Sequence, residues 1–278
     1  MSITKTLNVL KTLTSSFFLL IFIKNKLNAV DKIILILFMW SGLSMSSPNE
    51  NLQDIPSDGL VAYYSFNDCQ AMDQSGKQSH GKIMGSGTCR CGVEGNGIML
   101  NGRTDYIEFD GQVNKYFTTS DFSLSFYFKP TSPSIFKQSL VSKRADCEDF
   151  HALDIILDQT NEMMITDFTQ EDFVKFADMD APIKSGEWNH YALVRKGTRA
   201  YTYINGALMN EARRCSGVDI DNGAKLSIGN SPCLGSGLRR FEGIVDELRV
   251  YEKPLSHQEI MDLYNRMRVE DAEKGCVS

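Results

Sequence analysis

Paired carboxylates come first, because two of them on one face of a strand could hydrolyse a glycosidic bond. Alternate strand residues face the same side, and a retaining mechanism needs its nucleophile and acid close together. In DIILD, Asp154 and Asp158 share a parity but stand four residues apart, with no acid between them. In VDELR, Asp246 and Glu247 fall on opposite faces. Acyl transfer by serine has no signature, since G-x-S-x-G is absent and the four histidines are scattered. The chain therefore reads as non-enzymatic.

Asp246 raises a different question. In GIVDELRVYEKPLS (243–256), Ile244, Asp246, Leu248 and Val250 share one parity. If the aliphatic residues mark the core, Asp246 points inward with them. A buried carboxylate is costly unless paired, so a cation, a calcium ion or a set of backbone N–H donors is expected beside it.

Seven cysteines (Cys69, Cys89, Cys91, Cys147, Cys215, Cys233 and Cys276) all lie beyond residue 46. The CRC pair lacks the usual C-x-x-C ligand spacing and no histidine pair accompanies it, which argues against zinc. Before them come two apolar runs, FFLLIFI (17–23) and IILILFMW (33–40), each too short to span a bilayer as a helix. The second, followed by SGLSMSS, reads as the apolar region and cleavage site of a signal peptide; a membrane anchor is the alternative. Export makes disulfides the expected state of the cysteines. Spacing does not dictate connectivity. The expected pairs are Cys69 with Cys89 or Cys91, the remaining one of those two with Cys147, and Cys215 with Cys233, leaving Cys276 over.

Five lysines and one aspartate put +4 on the first 46 residues, leaving −10 on the rest of a chain of formal charge −6. An acidic body argues against nucleic acid and anionic membrane surfaces as partners. Neutral ligands and bound cations both fit it.

The elements that must position these residues are strands. LVAYYSF places Leu60, Ala62, Tyr64 and Phe66 on one face. FSLSFYF places Phe122, Leu124, Phe126 and Phe128 on one face and Ser123, Ser125 and Tyr127 on the other, predicting a strand with one polar side. HALDIIL, EMMITDF, FVKF, WNHYALV, AYTYI and KLSI are further candidates. Asn205-Gly206 predicts a two-residue hairpin turn, in which both residues take φ > 0. One helix is expected, near the end: Ser256 and Glu259 form a capping box, and Ile260, Leu263, Tyr264 and Met267 recur at helical spacing. Many short strands and one late helix imply an all-β, two-sheet antiparallel sandwich. The boundaries read as a targeting segment (1–46), a linker (47–57), one β domain (58–268) and a tail (269–278).

DGLVAYYSFNDC with DQSGKQSHGKIMGSG, then GNGIMLNGRTDYIEF (95–109), GEWNHYALVRKGTRAYTYINGAL (186–208) and FEGIVDELRVYEKPLSHQEIMDLY (241–264) occur in that order. Together they resemble the LamG-like jelly-roll domains of the concanavalin A-like lectin/glucanase superfamily, over about residues 58–266. The resemblance implies a jelly roll with two sheets of about six or seven strands, one of them concave, and first and last strands adjacent. The glucanases of that superfamily carry E-x-D-x-x-E or E-x-D-x-E on one strand, and this chain has neither. His190, in WNHY, is implied to be a structural histidine inside the sandwich.

Adjacent first and last strands would bring Asp68, Asp73 and Asp246 within reach of one calcium ion, which takes six to eight oxygens. The alternative for Asp73 is an Asx-turn, and for Asp246 backbone donors or an arginine; a structural acceptor role is the favoured reading of Asp246. For sugar binding, Tyr127, Tyr201, Tyr203 and Trp188 are the strand aromatics, and KRADCEDFH (143–151) and NSPCLGSGLRRF (230–241) are polar loops fit to shape a rim. The functional expectation is an exported, secreted or cell-surface module that recognises glycans. A protein-binding or adhesion module without a sugar site is the alternative.

Overall fold

The computed structural model describes residues 55–214, 217–235 and 237–274. The targeting segment, most of the linker, Cys215 and Cys276 lie outside the described residues. Seventeen strands follow in chain order among those described: β1 (Leu60–Tyr64), β2 (Gly81–Met84), β3 (Thr88–Cys91), β4 (Asn96–Asn101), β5 (Tyr106–Phe109), β6 (Phe122–Pro130), β7 (Lys137–Lys143), β8 (Ala152–Asp158), β9 (Met163–Glu171), β10 (Val174–Phe176), β11 (Ala181–Pro182), β12 (Asn189–Lys196), β13 (Arg199–Ile204), β14 (Ala207–Arg213), β15 (Ser227–Ile228), β16 (Leu238–Arg240) and β17 (Glu242–Tyr251). One α-helix, α1 (His257–Arg266), comes after them.

Two sheets result. The first runs β14–β13–β12–β6–β17–β4–β3, with β1 added on β17. The second runs β10–β9–β8–β7–β15–β5–β2, with β11 on β9 and β16 on β7. The long pairings are antiparallel, and β16 joins β7 in parallel. The fold is a jelly-roll sandwich, with eight and nine strands in place of six or seven. The surplus in the second sheet is short pieces, β10, β11, β15 and β16, of two or three residues each. First and last strands are adjacent: Tyr63 faces Arg249 and Tyr64 faces Leu248.

Between the sheets lies one hydrophobic core. Phe122, Leu124, Phe126 and Phe128 of β6 meet Leu153, Ile155 and Leu157 of β8 and Phe168 of β9 there. Each such side chain contributes about 1.5–3 kcal/mol on full burial. The hairpin turn forms as its sequence requires, with φ of 50° at Asn205 and 76° at Gly206.

The other face of β6 departs from expectation. Ser123, Ser125 and Tyr127 are buried rather than solvated, because α1 and the chain after it cover the outer face of the eight-stranded sheet. Ser256 caps α1, accepting from the Glu259 N–H while Glu259 accepts from the Ser256 N–H. The helix buries Ile260 and Leu263 against Ala192, Val194, Tyr203 and Tyr251. The hydroxyls beneath find partners: Ser123 donates to the Lys253 carbonyl and accepts from the Leu255 N–H, and Ser125 bonds His190 Nε2 at 2.8 Å.

Candidate functional site

A β-bulge decides where Asp246 points. The register of β17 against β6 shifts between Asp246 and Arg249, and Glu247 takes φ of 53°. Such a bulge resets the inside–outside alternation. Val245, Leu248 and Val250 therefore enter the main core, whereas Ile244 packs on the outer face with Tyr127, Trp188 and Met267. Asp246 keeps the parity of Ile244, so it does not point into the core with Leu248 and Val250.

Backbone donors answer the Asp246 carboxylate. Its Oδ2 accepts from the N–H groups of Val93 (2.8 Å) and Glu94 (3.3 Å), and Oδ1 accepts from Glu247 N–H (2.9 Å). A side chain at Gly92 would run into Oδ2, which is why glycine stands there. Burial and the neighbouring Glu247 carboxylate push the Asp246 group up, against the pull of the three donors. The carboxylate thus ties the last strand to the β3–β4 turn. Beside it Glu247 and Arg249 form a buried ion pair, Tyr63 Oη donates to Glu247, and the Arg249 guanidinium lies over the Tyr63 ring at 4.2 Å. His190 is fully buried in the same layer, and burial, then the Arg249 charge, lower its pKa to about 3. It is held neutral.

The calcium candidates are not gathered into one cluster. Asp73 accepts from the N–H groups of Tyr63 (3.1 Å), Ser75 (2.9 Å) and Ser79 (2.9 Å). Burial raises this group, and those hydrogen bonds outweigh it and hold Asp73 below the usual carboxylate range. Exposed Asp68 accepts from Gln70 N–H. Among the described residues, no group of three His, Cys, Asp or Glu side chains is placed to hold a metal ion. The sugar-binding aromatics Tyr127, Tyr203 and Trp188 are buried under α1 and its extension, and Tyr201 is half-buried.

The outer face of the nine-stranded sheet carries the other two acids, buried beneath loops. Leu153, Ile155 and Leu157 face the core, so Asp154, Ile156 and Asp158 alternate outward. Asp154 accepts from Ser142 Oγ and from Arg144 Nε, both at 2.6 Å, and Asp158 accepts from Asn161. The two acids share a face, as their parity requires, but each is occupied by its own partner.

Both rim loops reach this face, joined by a disulfide. Cys147 is bonded to Cys233, not to the CRC pair or Cys215 as expected; the sheet brings the β7–β8 and β15–β16 connections together across 86 residues of sequence. Cys69 is bonded to Cys89, and Cys91 is also disulfide-bonded. The second loop lies on the sheet: Ser139 Oγ and Ser227 Oγ donate to the Asn230 carbonyl at 2.9 and 3.2 Å. Asn222 secures the first by donating to the carbonyls of Lys143 and His151.

Sequence reasoning missed the arginines. Arg103, Arg239 and Arg240 line a depression with Leu234 and Leu238. Arg239 lies over the Phe136 ring at 4.4 Å and Arg240 over the Tyr106 ring at 4.5 Å. Arg240 also donates to Asn230 Oδ1 and to the Arg103 carbonyl. The RRF run at 239–241 was visible as a loop feature, but nothing in the sequence joined it to Arg103 or Tyr106.

A family model described as Laminin_G_3, of the concanavalin A-like lectin/glucanases superfamily, matches residues 101–261, more than half of the chain. The chain belongs to this family. Solved structures of similar fold surround this Laminin_G_3 domain. Domain 4 of AbnA, an extracellular arabinanase from Geobacillus stearothermophilus solved with arabinotriose, aligns at a TM-score of 0.57 and 20% identity, covering 74% of this chain and 98% of that one. The binding domain of Paraclostridial Mosquitocidal Protein 1 aligns at 0.58 and 19% identity, covering 75% and 52%. The binding domain of botulinum neurotoxin DC, solved with rat synaptotagmin II, aligns at 0.57 and 12% identity, covering 77% and 53%. The Laminin_G_3 chain thus spans about half the length of those toxin chains. No curated protein sequence matches it.

Proposed function

We propose that the protein is an exported, non-catalytic module that recognises glycans on the outer face of its nine-stranded sheet. One observation carries this reading: planar guanidiniums stacked on aromatic rings stand beside two loops already clamped together by Cys147–Cys233. Sugars are recognised by planar polar groups and ring faces, and a preformed site loses little ordering entropy on binding. The disulfides fit an oxidising, extracytoplasmic setting. That a fold relative was solved with arabinotriose and another as a toxin's receptor-binding domain agrees with a binding role.

Calcium at Asp68, Asp73 and Asp246 is not part of this reading, because backbone N–H donors already occupy Asp73 and Asp246. A glycan-array screen of the oxidised full chain tests it, with calcium and again with EDTA. A coherent set of bound glycans, unchanged in EDTA, is the expected result. A blank array from folded protein would contradict glycan recognition for the glycans printed, and loss in EDTA would restore calcium to the site. The second reading is a protein partner, favoured by exposed Ile135 and Phe136 beside Arg239; apolar residues exposed side by side are a feature of protein docking sites.

A further inference from the structure

The arginine depression narrows the class of ligand. Its lining is Gly102, Arg103, Leu234, Gly235, Leu238, Arg239 and Arg240, with no acidic side chain. Elsewhere, Arg144 pairs with Asp154, Arg199 with Glu211 and Arg249 with Glu247, while Arg90, Arg195 and Arg214 spend their N–H groups on backbone carbonyls. Arg103, Arg239 and Arg240 take part in none of the ion pairs among the described residues. Three arginines outside those ion pairs thus line one depression of a chain whose residues 47–278 carry −10, with the Glu242 carboxylate close to its Gly102.

Two of the three are held in place. Arg239 Nη1 donates to the carbonyls of Gly235 and Leu238, both at 3.1 Å, while its plane lies over Phe136. Arg240 spends Nε on the Arg103 carbonyl and Nη1 on Asn230, over Tyr106. Nε and Nη2 of Arg239, Nη2 of Arg240 and the whole Arg103 guanidinium have no partner among the described residues. Fixed, unspent guanidinium N–H groups match the paired oxygens of a carboxylate or a sulfate, with two parallel hydrogen bonds to one group. A neutral sugar brings no counter-charge to these N–H groups; an anion does. We propose that the depression of Arg103, Arg239 and Arg240 receives the carboxylate or sulfate group of an acidic glycan, which makes anionic saccharides the ligand class of the module. The inference rests on the glycan reading above and adds the charge of the ligand to it.

The test compares matched saccharides on the oxidised full chain. Oligogalacturonate against its methyl ester isolates the carboxylate, dextran sulfate against dextran isolates the sulfate, and poly-glutamate supplies a polyanion that is not a glycan. The charged member of at least one pair is expected to bind about tenfold or more tighter than its neutral partner, the effect of one charge-assisted hydrogen bond. Arg103→Gln, whose guanidinium makes no hydrogen bond or ion pair among the described residues, is expected to keep the fold and to cost about tenfold for the charged saccharide and nothing for the neutral one. Arg239→Lys keeps the charge, loses the planar fork, and is expected to weaken binding too. Equal affinity for charged and neutral members, or an unaltered Arg103→Gln, overturns the anionic assignment; glycan recognition then stands on the array alone. Poly-glutamate binding as tightly as the acidic saccharides overturns it in favour of an acidic protein segment. Failure of all four saccharides to bind also overturns it, and a neutral hit on the array would still preserve the broader reading.

Discussion

At the scale of single residues, the buried polar layer under α1 makes the firmest predictions. His190 is neutral in the fold, with a pKa near 3, and takes up a proton near pH 6.5 when unfolded. The sign follows: below pH 6.5 the unfolded state binds a proton that the native state refuses, so stability falls as pH drops from 6.5 toward 3. The slope from this one group is at most about 1.4 kcal/mol per pH unit. His190→Gln is expected to flatten that acid limb in urea unfolding at pH 7, 5.5 and 4; profiles that stay parallel would contradict the assignment. Asp246→Asn turns an amide toward N–H donors and leaves at least one of them unpaired. A loss of about 1–3 kcal/mol is expected, with glycan affinity unchanged; calorimetric melting and one binding titration check both halves.

At the scale of elements, the strands, the Asn205-Gly206 hairpin and the capped helix were legible because each is announced locally, by alternation, by two φ > 0 residues or by S-x-x-E. The bulge in β17 was not. It depends on Glu247 adopting a conformation that its own side chain does not favour, and that conformation is held by the Glu247–Arg249 pair and the Tyr63 hydroxyl rather than by neighbours in sequence. One inserted residue then reversed the face of every residue before it. The polar row of β6 misled for a similar reason: serines and a tyrosine signal a wet face, and a helix more than a hundred residues away makes it dry. Leu263→Ala should therefore behave as a core truncation, costing about 2–5 kcal/mol in urea unfolding. A cost below about 1 kcal/mol would mean that α1 rests on the sheet without being packed into it.

At the scale of the whole molecule, the sandwich and the adjacency of its first and last strands were within reach of sequence, whereas the site was not. Arg103 comes from the β4–β5 turn and Arg239 and Arg240 from β16, and only the docking of β16 on β7 brings them together. Cysteine order was equally silent, because the Cys147–Cys233 bond joins loops 86 residues apart in sequence that the sheet brings together. That bond serves the site as well as the fold. Cys147→Ser with Cys233→Ser is expected to lower stability by about 2–4 kcal/mol and to weaken glycan binding, since the rim would have to be ordered by the ligand.

The central claim is where a glycan docks. The most direct measurement is amide chemical-shift mapping of the isotope-labelled full chain, titrated with the tightest oligosaccharide from the array. Shifts are expected to concentrate at Arg103, in the 230–240 loop and in the 144–151 loop, with α1 and the β3–β4 turn unmoved. Shifts confined to α1 and the Trp188 side of the eight-stranded sheet would place the site on the opposite face and contradict it.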